Sequence, residues 1–525
     1  MSSKFGLGDL GLRESSNPRS RLTSGFAFVL MVAALDFAVH MLSAANYGYF
    51  RDELYYIVSG QHLQLGYVDF PPLIAYLAAI LRLLAGDGLV AIHVVPALAG
   101  AALVFVAGMT ARELGGGRLA QLLAAAATAI TAQMAFASIF SMDVLDALWW
   151  ALASYVLIRT IRREEPKLWL LFGLIAGIGM MTKLTIVFFL FAIVVALLFT
   201  PRRSYLRTRW FWGGATITVL IVSPYIVWNS MNGWPTVDFY IHHGGLNGSG
   251  PLDFAALQLV ILNPANIPLL FLGLHFYLRS RAGRPYAVVG LASVLLFFLF
   301  LLINAKPYFY EGALATILAG GAVVAEKRGG SPGRRRLWLP AGLLLAIALG
   351  GVVLAPLEMP LLPPATFVSV YGGLTGIANG AASQGNAGQL PQYLGDRFGW
   401  DTMTATLASV YHGLGAQEKA QACIFTSNYG EASALTFFGR SYGLPPVISG
   451  HNNFYVWGPG SCSGQVVVAV GLSQADLLQS FNNVTATGVI TCSYCVSYEN
   501  NVTIYLATEP KISVAGLWPS LKHFD

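Results

Sequence analysis

YGYFRDELYYIVSGQHLQLGYVDFPPL, running from Tyr47 to Leu73, gathers Arg51, Asp52, Glu53, His62 and Asp69 among the tyrosines Tyr47, Tyr49, Tyr55, Tyr56 and Tyr67. Long apolar runs, near 24–46 and 87–110, lie on either side of it. Across the 525 residues hydrophobic types make up 55% and charged types 11%, against about 25% charged in an average soluble chain. That balance excludes an ordinary soluble enzyme. The 56 Gly and 25 Pro are scattered without a Gly-X-Y period, which excludes a collagen-like chain. Ionisable side chains are costly inside a bilayer, so a cluster of them between apolar runs reads as a loop at a membrane surface.

Working outward, stretches long enough to cross a bilayer, about 20 residues each, lie near 24–46, 87–110, 118–139, 143–160, 168–182, 184–200, 210–229, 257–279, 286–304, 309–325 and 337–356. The sequence thus predicts a multi-pass α-helical membrane protein with eleven spans. Most of the 31 Lys and Arg fall in the alternate loops 1–21, 111–118, 159–167, 201–209, 279–284 and 326–336, whereas the opposite loops hold only Arg51, Arg82, Lys183 and Lys306. The positive-inside rule assigns the first set to the cytoplasm. The N-terminus is then expected inside and everything beyond about residue 357 outside. The net charge of +6 belongs to these flanking positions and not to a nucleic-acid surface. The first apolar run is too long for a signal-peptide core and reads as a retained anchor.

Beyond residue 357 the apolar runs shrink to strand length. Ala422–Thr426, Gln465–Val470, Gly488–Cys492 and Val502–Ala507 alternate with helical patterns at Asp401–Tyr411 and Gln474–Phe481. This predicts a membrane domain over 1–356 followed by a soluble α/β domain over 357–525. Cys423, Cys462, Cys492 and Cys495 all lie in the second part. An even number in an oxidising compartment favours two disulfides with open connectivity, and Cys492-Ser-Tyr-Cys495 also fits a redox or metal pair.

The Tyr47–Leu73 loop is the richest in chemistry. A helix starting near Asp52 would set both acids at its positive N-terminal end, with Tyr55 and Tyr56 along the membrane interface. A carboxylate held beside a lipid headgroup can deprotonate an incoming hydroxyl; the same residues also suit a helix cap beside an aromatic belt. Asp143 and Asp146, in SIFSMDVLDALWW, share a helix face at the start of the fourth span, Asp143 nearer the surface, and equally suit N-capping. Lys183 and Lys306 oppose the positive-inside trend; a lipid phosphate would satisfy either, as would snorkelling. His242, His243 and Asn247 lie between the seventh and eighth spans, within reach of a sugar, but adjacent histidines make a poor metal site. Asp36 and His40, four apart inside the first span, read as a buried structural pair.

Together these residues resemble the family 39 glycosyltransferases of the GT-C fold, whose members include protein O-mannosyltransferases and a bacterial aminoarabinose transferase acting on lipid A. Asp52-Glu53 matches the family's acidic pair, and Asp69-Phe70-Pro71-Pro72-Leu73 its acidic-x-Pro-Pro-Leu segment. Asp143 matches its second loop aspartate, Thr182-Lys183 a Thr-Lys after the fifth span, and Lys306-Pro307-Tyr308 a Lys-x-Tyr before a later helix. Two departures stand out: Phe70 replaces a lysine of some relatives, and Tyr310-Glu311-Gly312 replaces a Pro-rich helix start, adding an acid near the site.

The resemblance implies transfer of one sugar from a polyprenyl-phosphate carrier to an envelope acceptor (glycan, lipid or protein) on the outer face of a bacterial inner membrane, with inversion. Asp52 would be the base, with Glu53 and Asp143 as catalytic neighbours. Arg51, Lys183 and Lys306 would hold the donor phosphate, and Tyr55, Tyr56, Asp69, His243 and Tyr308 would bind substrate. A monophosphate leaving group needs positive charge nearby, so a divalent metal is possible but not required. The rival class is a transporter or lipid flippase, which would place its charges near the bilayer midplane and show repeated halves. Asp36, His40 and the Asn263-Pro264 break are the features that fit it.

Overall fold

The computed structural model describes residues 25–242, 248, 250–329, 338–375 and 388–525. The loop 1–21, His243 and Asn247 lie outside the described residues.

Every one of the eleven apolar stretches is helical. They form α1 (Phe26–Ser43), α4 (Leu89–Glu113), α5 (Arg118–Ala129), α6 (Asp143–Arg163), α7 (Leu168–Thr182), α8 (Ile186–Leu198), α9 (Arg209–Met231), α10 (Pro251–Leu262) with α11 (Ile267–Arg279), α12 (Ala287–Leu302), α13 (Glu311–Gly329) and α14 (Trp338–Glu358). The loop between the first two spans carries two more, α2 (Arg51–Ser59) and α3 (Leu73–Ala85). Among the described residues seven helices are singly long and apolar enough to cross a bilayer, and two bent pairs bring the number to nine. α5 and α7 are the short members of the expected set.

One bend and one early helix end have local causes. Between α10 and α11 the chain turns by 86°, with Asn263 at φ 64° and its side chain capping the Ala265 N–H at 3.1 Å. Asn266 then donates to the Ala127 carbonyl at 2.8 Å, so this break is a hydrogen-bonded corner. The expected 118–139 span stops at Ala129, where the Ala132 N–H donates to the Ile261 carbonyl at 2.8 Å and Gln133 donates to Asp36 Oδ1 at 2.9 Å. His40 faces the carbonyls of Asp36 and Met134. Asp36 and His40 are thus tied into helix packing.

The helix beginning at Pro307 is the axis of the bundle: 94% of its apolar window is buried, against 17% for α9. Its approach to α11 depends on small residues, because a Cβ on Gly321 would stand 2.0 Å from the Leu269 carbonyl oxygen and one on Gly273 2.1 Å from that of Ile317.

The C-terminal domain is a five-stranded sheet, β1 (Ala422–Thr426), β2 (Val447–Ser449), β3 (Val466–Val470), β4 (Phe481–Ile490) and β5 (Val502–Pro510), in the order β2-β1-β3-β5-β4. β1 runs parallel to β2 and β3, with Ile424 opposite Val447 and Val468, while β5 is antiparallel to β3 and β4. All of β3 is buried, as befits a central strand covered on both faces. On one face lie α15 (Trp400–Gly413) and α16 (Tyr429–Phe438); on the other, α18 (Gln474–Ser480), with α17 (Asn452–Trp457) following β2. The expected helix Gln474–Phe481 ends one residue early, and the strand placed at Gly488–Cys492 begins at Phe481. β2, three residues long, was not anticipated.

One correction concerns the cysteines. Cys423 and Cys462 are bonded across the domain, but Cys492 and Cys495 are both free thiols. They sit in a turn in which the Cys495 N–H donates to Cys492 Sγ at 3.2 Å, which holds the pair without a covalent link.

α2 joins the two parts. Leu54 belongs to the core beneath the sheet, while Tyr55 and Tyr56 pack in a bundle cluster that includes Ala432 and Phe454 of the C-terminal domain.

Candidate active site

The α2 N-terminus is fixed by Glu53. Its Oε2 accepts the Phe50 N–H at 2.8 Å, and Oε1 accepts the Phe140 N–H and His93 Nε2, both at 2.7 Å. Glu53 is wholly buried. Burial works against its charge, but His93, Arg397 and the Phe140 amide outweigh it and hold the carboxyl below its usual range. Glu53 therefore anchors the helix and is not free to act on a substrate, contrary to the catalytic role expected of it.

Its neighbour Asp52 turns the other way, toward the C-terminal domain. Asp52 Oδ1 accepts the Tyr429 hydroxyl at 2.8 Å and Arg51 Nε at 3.3 Å. Arg51 is shared: Nη1 donates to the Tyr498 hydroxyl at 3.0 Å and lies 3.7 Å from Asp396 Oδ2, and the guanidinium stands 5.3 Å from the Tyr429 ring centroid. Two carboxylates thus already balance the charge expected to meet a donor phosphate.

Asp143 opens α6 and is bonded to Lys183 Nζ, while its Oδ2 accepts from Ser141 at 3.0 Å. Lys183 lies against the rings of Tyr308 and Phe309, 4.9 Å from each centroid. Lys306 feels Lys183, Asp143, Asp52 and Arg51, and burial first, then Lys183, press its proton affinity below that of an ordinary lysine. Among the described residues it has no carboxylate within ion-pair distance. The Tyr56 hydroxyl in turn feels Asp52, Asp143, Asp69 and Tyr429. Asp52, Asp143, Lys183, Lys306 and Tyr308, drawn from four separate segments, therefore form one electrostatic cluster at the end of the bundle that meets the C-terminal domain.

Asp69 and Tyr55 have another part. Asp69 Oδ1 accepts from the Tyr55 hydroxyl at 3.0 Å and from Asn453 at 3.2 Å, and Oδ2 from Asn452 at 3.3 Å. Burial pushes the Asp69 carboxyl up to about 7. Tyr55 stacks on Tyr429 at 4.5 Å, and Tyr56 meets Phe70 edge-on at 5.0 Å. Both tyrosines are buried. Tyr55 and Asp69 thus join the two domains through Tyr429, Asn452 and Asn453, while Tyr56 packs behind them against Phe70 and Phe140; the α/β domain closes over the face of α2 that sequence alone left open to the membrane surface. His243 lies outside the described residues.

Sequence reasoning missed Tyr429, Asp396, Tyr498, Asn452 and Asn453. The only signal was their occurrence in a domain expected on the same side as Asp52. His451, His523 and Asp525 bring three potential metal ligands within 4.8 Å. His451 Nδ1, however, accepts the Tyr429 N–H at 3.2 Å, which leaves Nε2 as the donor to Asp525 Oδ1 at 2.6 Å. That tautomer orients Tyr429 and does not offer a lone pair to a metal.

Residues 69–228 match the dolichyl-phosphate-mannose-protein mannosyltransferase family. The lipid A galacturonosyltransferase RgtD of Rhizobium johnstonii is 24% identical over 356 residues, which are 66% of this chain and 71% of that protein. The structure of ArnT from Cupriavidus metallidurans bound to undecaprenyl phosphate is similar with a TM-score of 0.54 at 16% identity, covering 91% of this chain and 98% of ArnT. The oligosaccharyltransferase AglB from Archaeoglobus fulgidus, in complex with an inhibitory peptide and a dolichol-phosphate, gives 0.54 at 11% identity, covering 87% and 70%. With that shared GT-C architecture, and with the mannosyltransferase match beginning at Asp69, where the acidic loop ends, and running to Trp228 in α9, the chain is a multi-pass membrane glycosyltransferase.

Proposed function

We propose that the protein moves one sugar from a polyprenyl-phosphate carrier to an acceptor hydroxyl on the extracytoplasmic face of a bacterial inner membrane, inverting the anomeric carbon, with Asp52 as general base. The observation that carries this reading is the meeting of Asp52, the Asp143–Lys183 pair, Lys306 and Tyr308 in one cluster. The undecaprenyl phosphate on ArnT and the dolichol-phosphate on AglB support a lipid phosphate as leaving group. RgtD, which acts on lipid A, supports an envelope acceptor of the same general kind.

In a single displacement the acceptor oxygen attacks the anomeric carbon as Asp52 takes its proton, and the bond from that carbon to the phosphate oxygen breaks. The departing phosphate gathers charge in the transition state, so cations already in place lower the barrier. Lys306, which has no carboxylate within ion-pair distance among the described residues, is the cation with most to gain from that phosphate. Lys183, held by Asp143, gives a second positive centre, and Tyr308 lies beside it to bound the sugar. Tyr429 holds Asp52 in one orientation. A monophosphate carrier asks for no divalent ion, and chelation is expected to leave the rate unchanged.

The test is to supply radiolabelled polyprenyl-phosphate sugars to membranes from a deletion strain and from the same strain carrying the gene. Label reaching the envelope fraction only in the second supports the reading; equal labelling in both refutes it.

A further inference from the structure

The turn after β4 carries Cys492 and Cys495, which the sugar-transfer chemistry does not use. Three contacts define it. The Cys495 N–H donates to Cys492 Sγ at 3.2 Å, the Cys495 thiol faces the Cys492 carbonyl at 3.5 Å, and the Cys492 N–H is held by Asn500 Oδ1 at 2.9 Å. Cys492 is half-buried and Cys495 buried behind it. Donation from the Cys495 thiol, aided by the Tyr494 and Cys495 amides and opposed by burial, pushes Cys492 down to about 6, while the same contact pushes Cys495 up. A half-buried cysteine that favours the thiolate, backed by a protonated partner within one turn, is the arrangement thiol–disulfide exchange requires.

The turn also touches the machinery around Asp52. A Cβ on Gly399 would stand 3.3 Å from Cys492 Sγ and 3.4 Å from Cys495 Cβ. Gly399 ends the segment whose Asp396 lies against Arg51 and whose Arg397 donates to the Ser138 carbonyl of the bundle at 2.8 Å. Three residues beyond Cys495, Tyr498 accepts from Arg51 and donates to Asp396 at 3.2 Å. A change in the shape of this turn therefore reaches Arg51 from two directions.

We propose that Cys492 and Cys495 are a thiol–disulfide exchange site that takes an external disulfide as its substrate, and that the state of the pair alters the hold on Arg51. The Cys492 thiolate attacks one sulfur of the external disulfide, forming a mixed disulfide and expelling the other sulfur as a thiolate. Cys495, giving its proton to that thiolate, then attacks Cys492 Sγ, and the second sulfur leaves as a thiolate that takes a proton from water. The pair loses two electrons and the external disulfide gains them, becoming two thiols. The coupling to Arg51 rests on the proposed sugar transfer; the exchange itself does not.

The experiment equilibrates the purified full chain in detergent with mixtures of reduced and oxidised glutathione, traps thiols with an alkylating agent, and maps the peptides by mass spectrometry. Each mixture is also assayed for sugar transfer. The expected result is a Cys492–Cys495 crosslink that titrates with the mixture while Cys423–Cys462 stays bonded, and a transfer rate that differs by at least about fivefold between the two forms. The difference should vanish in Cys492→Ser and Cys495→Ser, and in wild type alkylated beforehand, which serves if the variants fold poorly. Thiols that stay free, or carry only glutathione, across the whole range would overturn the exchange site. A crosslink that forms without changing the rate would overturn its link to Arg51. Failure of sugar transfer in every form would instead count against the glycosyltransfer reading, and the peptide map would still decide the exchange.

Discussion

The hydroxyl of Tyr429 donates to Asp52 Oδ1 at 2.8 Å across 377 residues of sequence. The candidate base of the membrane domain is thus oriented by a side chain of the α/β domain, and the same ring stacks on Tyr55 and lies near Arg51. Tyr429→Phe keeps the ring and removes only the hydroxyl. A hydrogen bond to a charged group is worth about 1.5–3 kcal/mol, so kcat should fall about tenfold to a hundredfold with the donor KM unchanged. Steady-state kinetics beside a thermal melt in detergent checks both halves. An unchanged kcat would remove Tyr429 from the machinery.

Lys306 and Lys183 should separate in the same assays. Lys306→Ala removes a cation that has no carboxylate partner among the described residues, so the donor KM should rise by an order of magnitude or so, about the loss of one charge-assisted contact, with the melting temperature intact. Lys183→Ala strands Asp143 and should lower the melting temperature as well. Equal melting temperatures for the two variants would contradict this division.

Asp69 gives the domain joint a pH dependence. An unfolded aspartate titrates near 3.9, whereas burial raises Asp69 to about 7 in the folded protein. Between roughly pH 4 and 7 the folded chain therefore holds the extra proton, and this contribution to stability is lost as pH rises through that window. Melting temperatures measured across it should decline, and the decline should be shallower in Asp69→Asn. Parallel slopes in the two proteins would exclude Asp69 as the cause.

Glu53→Gln tests the anchor. Breaking one partner out of a buried ion pair costs about 3–5 kcal/mol, so the variant should melt well below wild type, with kcat per folded molecule little altered. A selective collapse of kcat at normal stability would return Glu53 to the catalytic group.

The sequence made the bundle readable because each span must carry its own apolar surface, and all eleven stretches proved helical. β1, β3 and β5 were readable for a related reason: Ala422–Thr426, Val466–Val470 and Val502–Pro510 are apolar runs of strand length. Spacing alone did not tell Asp52 from Glu53, since neighbouring helix residues point about 100° apart and spacing does not say which of the two directions is buried; only the resemblance singled out Asp52. Tyr55 and Tyr56 read as an aromatic belt because the cover supplied by Ala432, Tyr429 and Phe454 comes from more than 370 residues away. The partners of Asp69 were hidden in the same way. Asn452 and Asn453, unremarkable in sequence, acquire their role only when the α/β domain closes on α2.

The sharpest test of Asp52 as the base is single-turnover transfer from a radiolabelled polyprenyl-phosphate sugar by wild type and Asp52→Asn, with donor binding measured on the same preparations. General-base catalysis contributes about 10²–10⁴-fold, so Asp52→Asn should bind the donor normally and transfer its sugar slower by that factor. Transfer within a few-fold of wild type, by folded protein with donor bound, would contradict it.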